Sequence, residues 1–148
     1  MVPMLPKRLV VPHCRLPVEP PPQLLLTKAP ESARAARTYA HEFISYHVPG
    51  IEADPMDDAL LIVSELVTNA LRYGTQPGDS LRLVLAAEPG SVRIEVHDPC
   101  RRRPRVKTAS VERGRGLFIV SGLAQRWGVE ERPMGKSVWA ELRWGASK

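Results

Sequence analysis

Between Asp54 and Gly74 the apolar residues recur at a helical interval. Leu60, Val63, Val67, Ala70 and Leu71 fall on one broad arc at about 3.6 residues per turn, and Ile62, Leu66 and Tyr73 widen it. The stretch DPMDDALLIVSELVTNALRYG therefore predicts one long helix. Asp54 is placed to cap it, and Pro55 sits at the first helical position, where a missing N–H costs no hydrogen bond. Asp57 and Asp58 put negative charge where the helix dipole favours it, and Gly74 supplies a stop. Along one edge of the apolar arc run Glu65, Asn69 and Arg72, stacked one above another.

A second helical period covers Glu31 to Val48 through Ala33, Ala36, Ala40, Phe43, Ile44 and His47, bounded by Pro30 and by Pro49-Gly50. His41-Glu42 on this helix lacks the long flanking hairpin that a phosphoacceptor histidine needs, and it is read as solvent-facing. Elsewhere the period drops to two. Leu81, Leu83 and Leu85 alternate with Arg82 and Val84, and after Glu88-Pro89-Gly90 the strand Ser91 to Asp98 alternates in turn, which predicts a hairpin. A second hairpin joins Arg126–Arg132 to Lys136–Trp144, with Val138, Ala140 and Leu142 on one face and Trp139, Glu141 and Arg143 on the other. Gln23–Thr27 predicts a short strand, Thr75–Asp79 and Pro99–Arg113 predict loops, and Gly114–Ala124 reads as a Gly-rich turn running into a short helix from Leu117. Residues 1–22 hold seven of the fifteen prolines and predict an irregular arm, with an edge strand near Arg8–Val11, ahead of one domain over residues 23–148. The order helix, helix, hairpin, loop, short helix, hairpin predicts an α+β fold: a two-layer α/β sandwich of helices on a mixed, mostly antiparallel sheet.

Composition narrows the classes. The 148 residues suffice for one core, and 43% hydrophobic with 25% charged residues fits a globular chain. No apolar run approaches the ~20 residues of a membrane span, and the proline-rich start does not read as a signal peptide, so the expected location is cytoplasmic, with no membrane role. Cys14 and Cys100 show neither metal-ligand spacing nor a disulfide framework. A net charge of +5 permits phosphate or nucleic-acid binding. No groove-reading element accompanies the charge, however, which disfavours direct nucleic-acid recognition. The dense run Arg101, Arg102, Arg103, Arg105 and Lys107 falls in the second loop.

Four features carry candidate chemistry. Glu65 lies one turn before Asn69 at the edge of a buried face. The Asn oxygen suits a hard cation such as Mg²⁺, and the Glu can orient or deprotonate a nucleophile. Asp98 ends a strand just before the basic loop. Gly114-Arg115-Gly116 precedes Leu117, and glycines at a helix entry let backbone N–H groups approach phosphate oxygens. Ser137 is the second residue of the final strand. On residues alone, each also has a plainer reading: a solvated helix face, a strand ending in a turn, an ordinary helix entry, a serine at a strand edge.

The motifs together carry a resemblance. Glu65-Leu66-Val67-Thr68-Asn69-Ala70 resembles the N box of the GHKL ATPase superfamily, and SELVTNALRYG is similar to the bacterial anti-sigma-factor serine kinases, in particular the short stand-alone ATP-binding regulators abundant in actinomycetes. GRGLFIV resembles the G2 box of that branch, and GKSVWAEL resembles its final strand. The likeness spans Ala33 to Leu142. It implies the GHKL (Bergerat) fold and ATP with Mg²⁺ as cofactors. Asn69 would hold Mg²⁺, Glu65 would act on the hydroxyl of a partner's Ser or Thr, and Asp98 would accept a hydrogen bond from the adenine amino group, assisted by Ser137 through water. Backbone N–H groups from Gly114 to Leu117 would cradle phosphate with Arg115 nearby, and the basic loop would stand where the superfamily has its ATP lid. Arg72 occupies a place where His or Lys is common. The implied partner is a sigma factor or an anti-sigma-factor antagonist, with a homodimer as the possible assembly. The chain departs from the superfamily after Asp98, where Pro99-Cys100-Arg101-Arg102 replaces the glycines of the G1 box. The G2 box holds two glycines rather than three. A module that binds ATP and sequesters a partner without phosphoryl transfer is the second reading.

Overall fold

The structure, a computed structural model, describes residues 19–100 and 111–145, with the backbone alone for 111–115. The predicted Arg8–Val11 strand, Cys14 and the Arg101–Lys107 run lie outside the described residues. In chain order the elements are β1 (Gln23–Thr27), α1 (Ser32–His47), α2 (Ala53–Tyr73), β2 (Ser80–Glu88), β3 (Ser91–Asp98), α3 (Val111–Leu123), β4 (Arg126–Arg132) and β5 (Gly135–Arg143).

The strands form one five-stranded sheet in the order β1-β2-β3-β5-β4. The expected mostly antiparallel sheet is antiparallel in every described pairing. The two predicted hairpins are β2–β3 and β4–β5, and β5 rather than β4 lies against β3 because α3 carries the chain across between them. The period-2 pattern then sorts the faces. Val92, Ile94 and Val96 of β3 and Val138, Ala140 and Leu142 of β5 are buried toward the helices. They meet Ile62, Val63, Leu66 and Val67 of α2 and Phe43 and Ile44 of α1 in a single core.

The helix boundaries follow local chemistry. Glu52, extended at φ −77° and ψ 164°, takes the N-cap position of α2, so Asp54 lies inside the first turn rather than capping it, and Pro55 follows there. Neither change disturbs the logic, because the first-turn N–H groups have no intrahelical partner and the dipole still favours the carboxylate. Gly74 is the C-cap, its N–H bonded to Ala70 O, but at φ −111° its backbone is one any residue adopts. Its lack of a side chain has another cause, given below. At α1, Ser32 Oγ donates to Thr27 O at 2.6 Å, and the Tyr39 hydroxyl donates to Pro21 O, tying the prolines before β1 to the domain. Burial pushes the Tyr39 phenol up to about 12.

Among the described residues the sheet's outer face has no helix layer, and it is held by charge. Arg93 lies over Trp139 at 4.3 Å, and Glu141 accepts from Arg93 at 2.7 Å and from Arg126 at 2.8 Å. These bonds hold the Glu141 carboxyl below the ordinary glutamate value of 4.5. A depressed acid stabilises the fold above its unfolded value, and that contribution is lost as pH falls through the folded value. Glu141→Gln is therefore expected to lower stability at pH 7 by about 1 kcal/mol, a small figure because Arg126 is largely exposed. Urea titrations should show the gap between wild type and variant closing below pH 4.5. A gap of constant size down to pH 3 would refute the assignment.

Candidate functional site

The site is organised around α2, because its apolar arc fixes which edge faces outward. With Ile62, Val63, Leu66, Val67 and Ala70 buried, Glu65 and Asn69 are left half-buried at the margin, one turn apart, and Arg72 is exposed beyond them. Against this margin packs α3, seated by Leu117 and Val120, both essentially inaccessible. A Cβ on Gly116 would lie 2.9 Å from Glu65 Oε1. The backbone of α3 thus rests directly on the Glu65 carboxylate, and only a residue without a side chain permits that approach unstrained.

α3 begins at Val111, earlier than expected. Gly114, Arg115 and Gly116 lie within the helix rather than in a turn ahead of Leu117. Two glycines cost a helix roughly 1 kcal/mol each, which packing of Leu117 and Val120 onto α2 can offset. The first-turn N–H groups consequently belong to Val111 through Gly114, so the expected cradle from Gly114 to Leu117 is shifted toward the helix start. The Arg115 side chain lies outside the described residues.

Asp98 ends β3 on the helix-facing side of the sheet. Its side chain is 1% exposed. Oδ1 accepts from the Cys100 N–H at 2.8 Å and from Lys136 Nζ at 3.0 Å, and Oδ2 accepts from Lys136 Nζ at 3.0 Å. Two glycines close around it. A Cβ on Gly74 would meet Asp98 Oδ2 at 2.6 Å and Cγ at 2.7 Å, which accounts for the glycine at the end of α2. A Cβ on Gly135 would stand 1.9 Å from Asp98 O. Burial pushes the Asp98 carboxyl above its ordinary value, against the opposing pull of Lys136, the Cys100 N–H and His97.

Ser137 does not join Asp98. The β3–β5 register pairs Asp98 with Lys136 and His97 with Ser137. Strand alternation then puts Ser137 on the outer face, where its buried Oγ has no hydrogen-bond partner among the described residues. The polar group that reaches Asp98 is Lys136. The sequence held a signal for it: Val138, Ala140 and Leu142 point inward, so the residue two before Val138 does as well.

Next to Asp98, Arg72, Gly74, Gln76 and Asp79 line a polar cavity of about 370 Å³ with Pro99 and Cys100. His41 is exposed on α1, and Cys100 is half-buried. No group of three or more His, Cys, Asp or Glu side chains that could enclose a metal occurs among the described residues. The donors present fit Mg²⁺ all the same, since that ion takes one or two protein oxygens and completes its shell with water and phosphate. The Asn69 oxygen is such a donor, and the close approach of the glycine-bearing α3 leaves backbone rather than side chain beside Glu65.

One helix therefore joins three distant motifs: Glu65 touches Gly116, Asn69 lies a turn on, and the Gly74 terminus touches Asp98. No helix among the described residues is long and apolar enough to cross a membrane. No curated protein matches the chain. Residues 26–142 match the histidine kinase-like ATPase domain, a span that runs from β1 into β5 and takes in Glu65, Asn69, Asp98, Gly116 and Lys136. The chain belongs to the histidine kinase-like ATPase domain family, whose fold it shares, and this membership supports an ATP-binding regulatory role.

Proposed function

We propose that this protein is a cytoplasmic ATP-dependent protein serine/threonine kinase that acts as an anti-sigma factor or on an anti-sigma-factor antagonist. The observation that carries the reading is the placement of Glu65 and Asn69 on the margin of α2 that α3 covers, with Gly116 against the carboxylate. Bound MgATP would supply the phosphoryl group. Asn69 would offer its carboxamide oxygen to the cation, and Asp98 would accept from the amino group of the base. Glu65 would take the proton of an incoming Ser or Thr hydroxyl at a carboxylate oxygen, or orient that hydroxyl for in-line attack. Arg72, exposed beside the cavity at Pro99, would attract the anionic ligand. The Pro99-Cys100 turn, which stands in place of glycines after Asp98, favours the second reading, a module that holds ATP and sequesters a protein partner without transfer.

Calorimetric titration of ATP tests the common ground of the two. Wild type is expected to bind more tightly with Mg²⁺ than without it. Asn69→Ala is expected to weaken Mg²⁺-dependent binding at least tenfold while leaving Mg²⁺-free binding and the melting temperature nearly unchanged, since Asn69 is only half-buried. Absence of binding by wild type at millimolar ATP would sink the ATP reading.

A further inference from the structure

Lys136 is a buried cation that the reaction outlined above leaves without a task. Its side chain is 5% exposed. An ammonium group has three N–H donors. It lies 3.0 Å from Asp98 Oδ1, 3.0 Å from Asp98 Oδ2 and 3.2 Å from Cys100 O. Buried and engaged in this way, its ammonium group is turned to Asp98 and the Cys100 carbonyl rather than to a phosphate. Its bonds link β5 to the turn that leaves β3, so what it controls is the carboxylate between them.

The acceptor count on Asp98 shows what that control achieves. A carboxylate offers about four acceptor positions. Two on Oδ1 are filled by the Cys100 N–H and Lys136, and one on Oδ2 is filled by Lys136. Among the described residues the remaining position belongs to Oδ2, the oxygen that a side chain at Gly74 would strike at 2.6 Å. The Cys100 N–H bond to Oδ1 also fixes the rotation of the carboxylate plane.

We propose that Lys136 is the positioning residue of the base site. By holding Asp98 ionised and in one orientation, it presents an Oδ2 acceptor beside Gly74, and this acceptor selects a base that carries an amino group. The inference rests on the ATP-binding reading above. Charge is central to it, because a buried carboxyl without a counter-ion takes up a proton, and the protonated group can turn an O–H toward the ligand instead of a lone pair. Lys136 faces Asp98 from β5, His97 stands beside it on β3, and the Cys100 thiol lies in the following turn. Arg82 of β2 and Arg132 of β4 line the cavity that Asp98 and His97 share, and Arg72 and Tyr73 precede Gly74 on α2. Lys136 bonds the carboxylate through both of its oxygens.

Lys136→Gln keeps amide donors and removes the charge, and two readouts follow from it. First, the Asp98 carboxyl is titrated by carbon-13 NMR in nucleotide-free protein. The midpoint in Lys136→Gln is expected at least one pH unit above wild type, about a tenfold change in proton affinity; an unmoved midpoint overturns the proposal. Second, ATP and purine riboside triphosphate, which lacks the amino group, are titrated by calorimetry at pH 6 and pH 8. Wild type is expected to prefer ATP at least tenfold. Lys136→Gln is expected to lose that preference at pH 6 and recover part of it at pH 8. Equal weakening toward both ligands at both pH values would make Lys136 a structural staple and overturn the proposal. If wild type binds neither ligand, the ATP reading and the selection claim both fall, while the NMR titration still decides whether Lys136 sets the charge on Asp98. Should Lys136→Gln fail to fold, the neutral pair Asp98→Asn with Lys136→Gln replaces it. That pair is expected to bind ATP with a weak, pH-independent preference, and a preference equal to wild type overturns the proposal.

Discussion

Gly135→Ala is expected to lose about 2–6 kcal/mol of stability, the sum of roughly 1–3 for a strained backbone and roughly 1–3 for overpacking. Gly135 has φ +151°, and its Cβ would stand 1.9 Å from Asp98 O, 2.7 Å from Pro99 Cα and 2.9 Å from Asp98 C. All three are backbone atoms of the neighbouring strand end, so no side chain can swing aside. The strands would have to part where Lys136 joins Asp98, in a domain whose whole stability is expected to be about 5–15 kcal/mol. Gly116→Ala makes the informative contrast. Its nearest neighbour is the far end of the Glu65 side chain at 2.9 Å, which can rotate away, so the loss in stability should stay near 1 kcal/mol or below. Chemical denaturation of the two variants beside wild type checks the ranking. A Gly135→Ala midpoint indistinguishable from wild type would show that the β3–β5 approach is looser than the structure has it.

Gly135 also illustrates what could be read from the chain alone. A glycine in the turn between two alternating strands is legible as a turn, but its contact with Asp98 is not, because β3 and β5 are distant in sequence and become neighbours only through the α3 crossover. The same holds for Glu141, whose partners Arg93 and Arg126 come from the strands on either side. Local period was sufficient where burial is one-sided. The arc on α2, the two hairpins and the inward row of β5 all stand as the pattern predicts. It was weakest at α3, where Gly114 and Gly116 are punctuation in most contexts and sequence gives no sign that packing on α2 carries the helix through them. At Asp98 the alternation of β5 already pointed to Lys136, and family likeness drew attention to the hydroxyl of Ser137 instead. Two-residue periodicity is the stronger constraint, since it follows from backbone geometry. Gly74 was legible as a helix stop, and its closeness to Asp98 required the fold.

Glu65→Gln is expected to reduce phosphoryl transfer to a partner Ser or Thr by about 10²–10⁴-fold, the usual contribution of a positioned general base. The substitution is nearly isosteric, so the contact with Gly116 survives and α3 should stay seated through Leu117 and Val120. ATP affinity is therefore expected to remain within about threefold of wild type, because Asn69 and Asp98, the residues assigned to cation and base, are untouched. This separation of transfer from binding distinguishes the two readings of the site. A kinase loses transfer and keeps binding. A sequestering module shows no transfer in either form, and its partner binding is indifferent to the change. Labelled-phosphate transfer to a candidate antagonist protein, run beside calorimetry on the same preparations, decides between them. Full transfer by Glu65→Gln would remove Glu65 from the proton's path and leave positioning of substrate and cation as the source of catalysis, a role that would then fall to Asn69 and to Arg72 at the cavity beside Pro99.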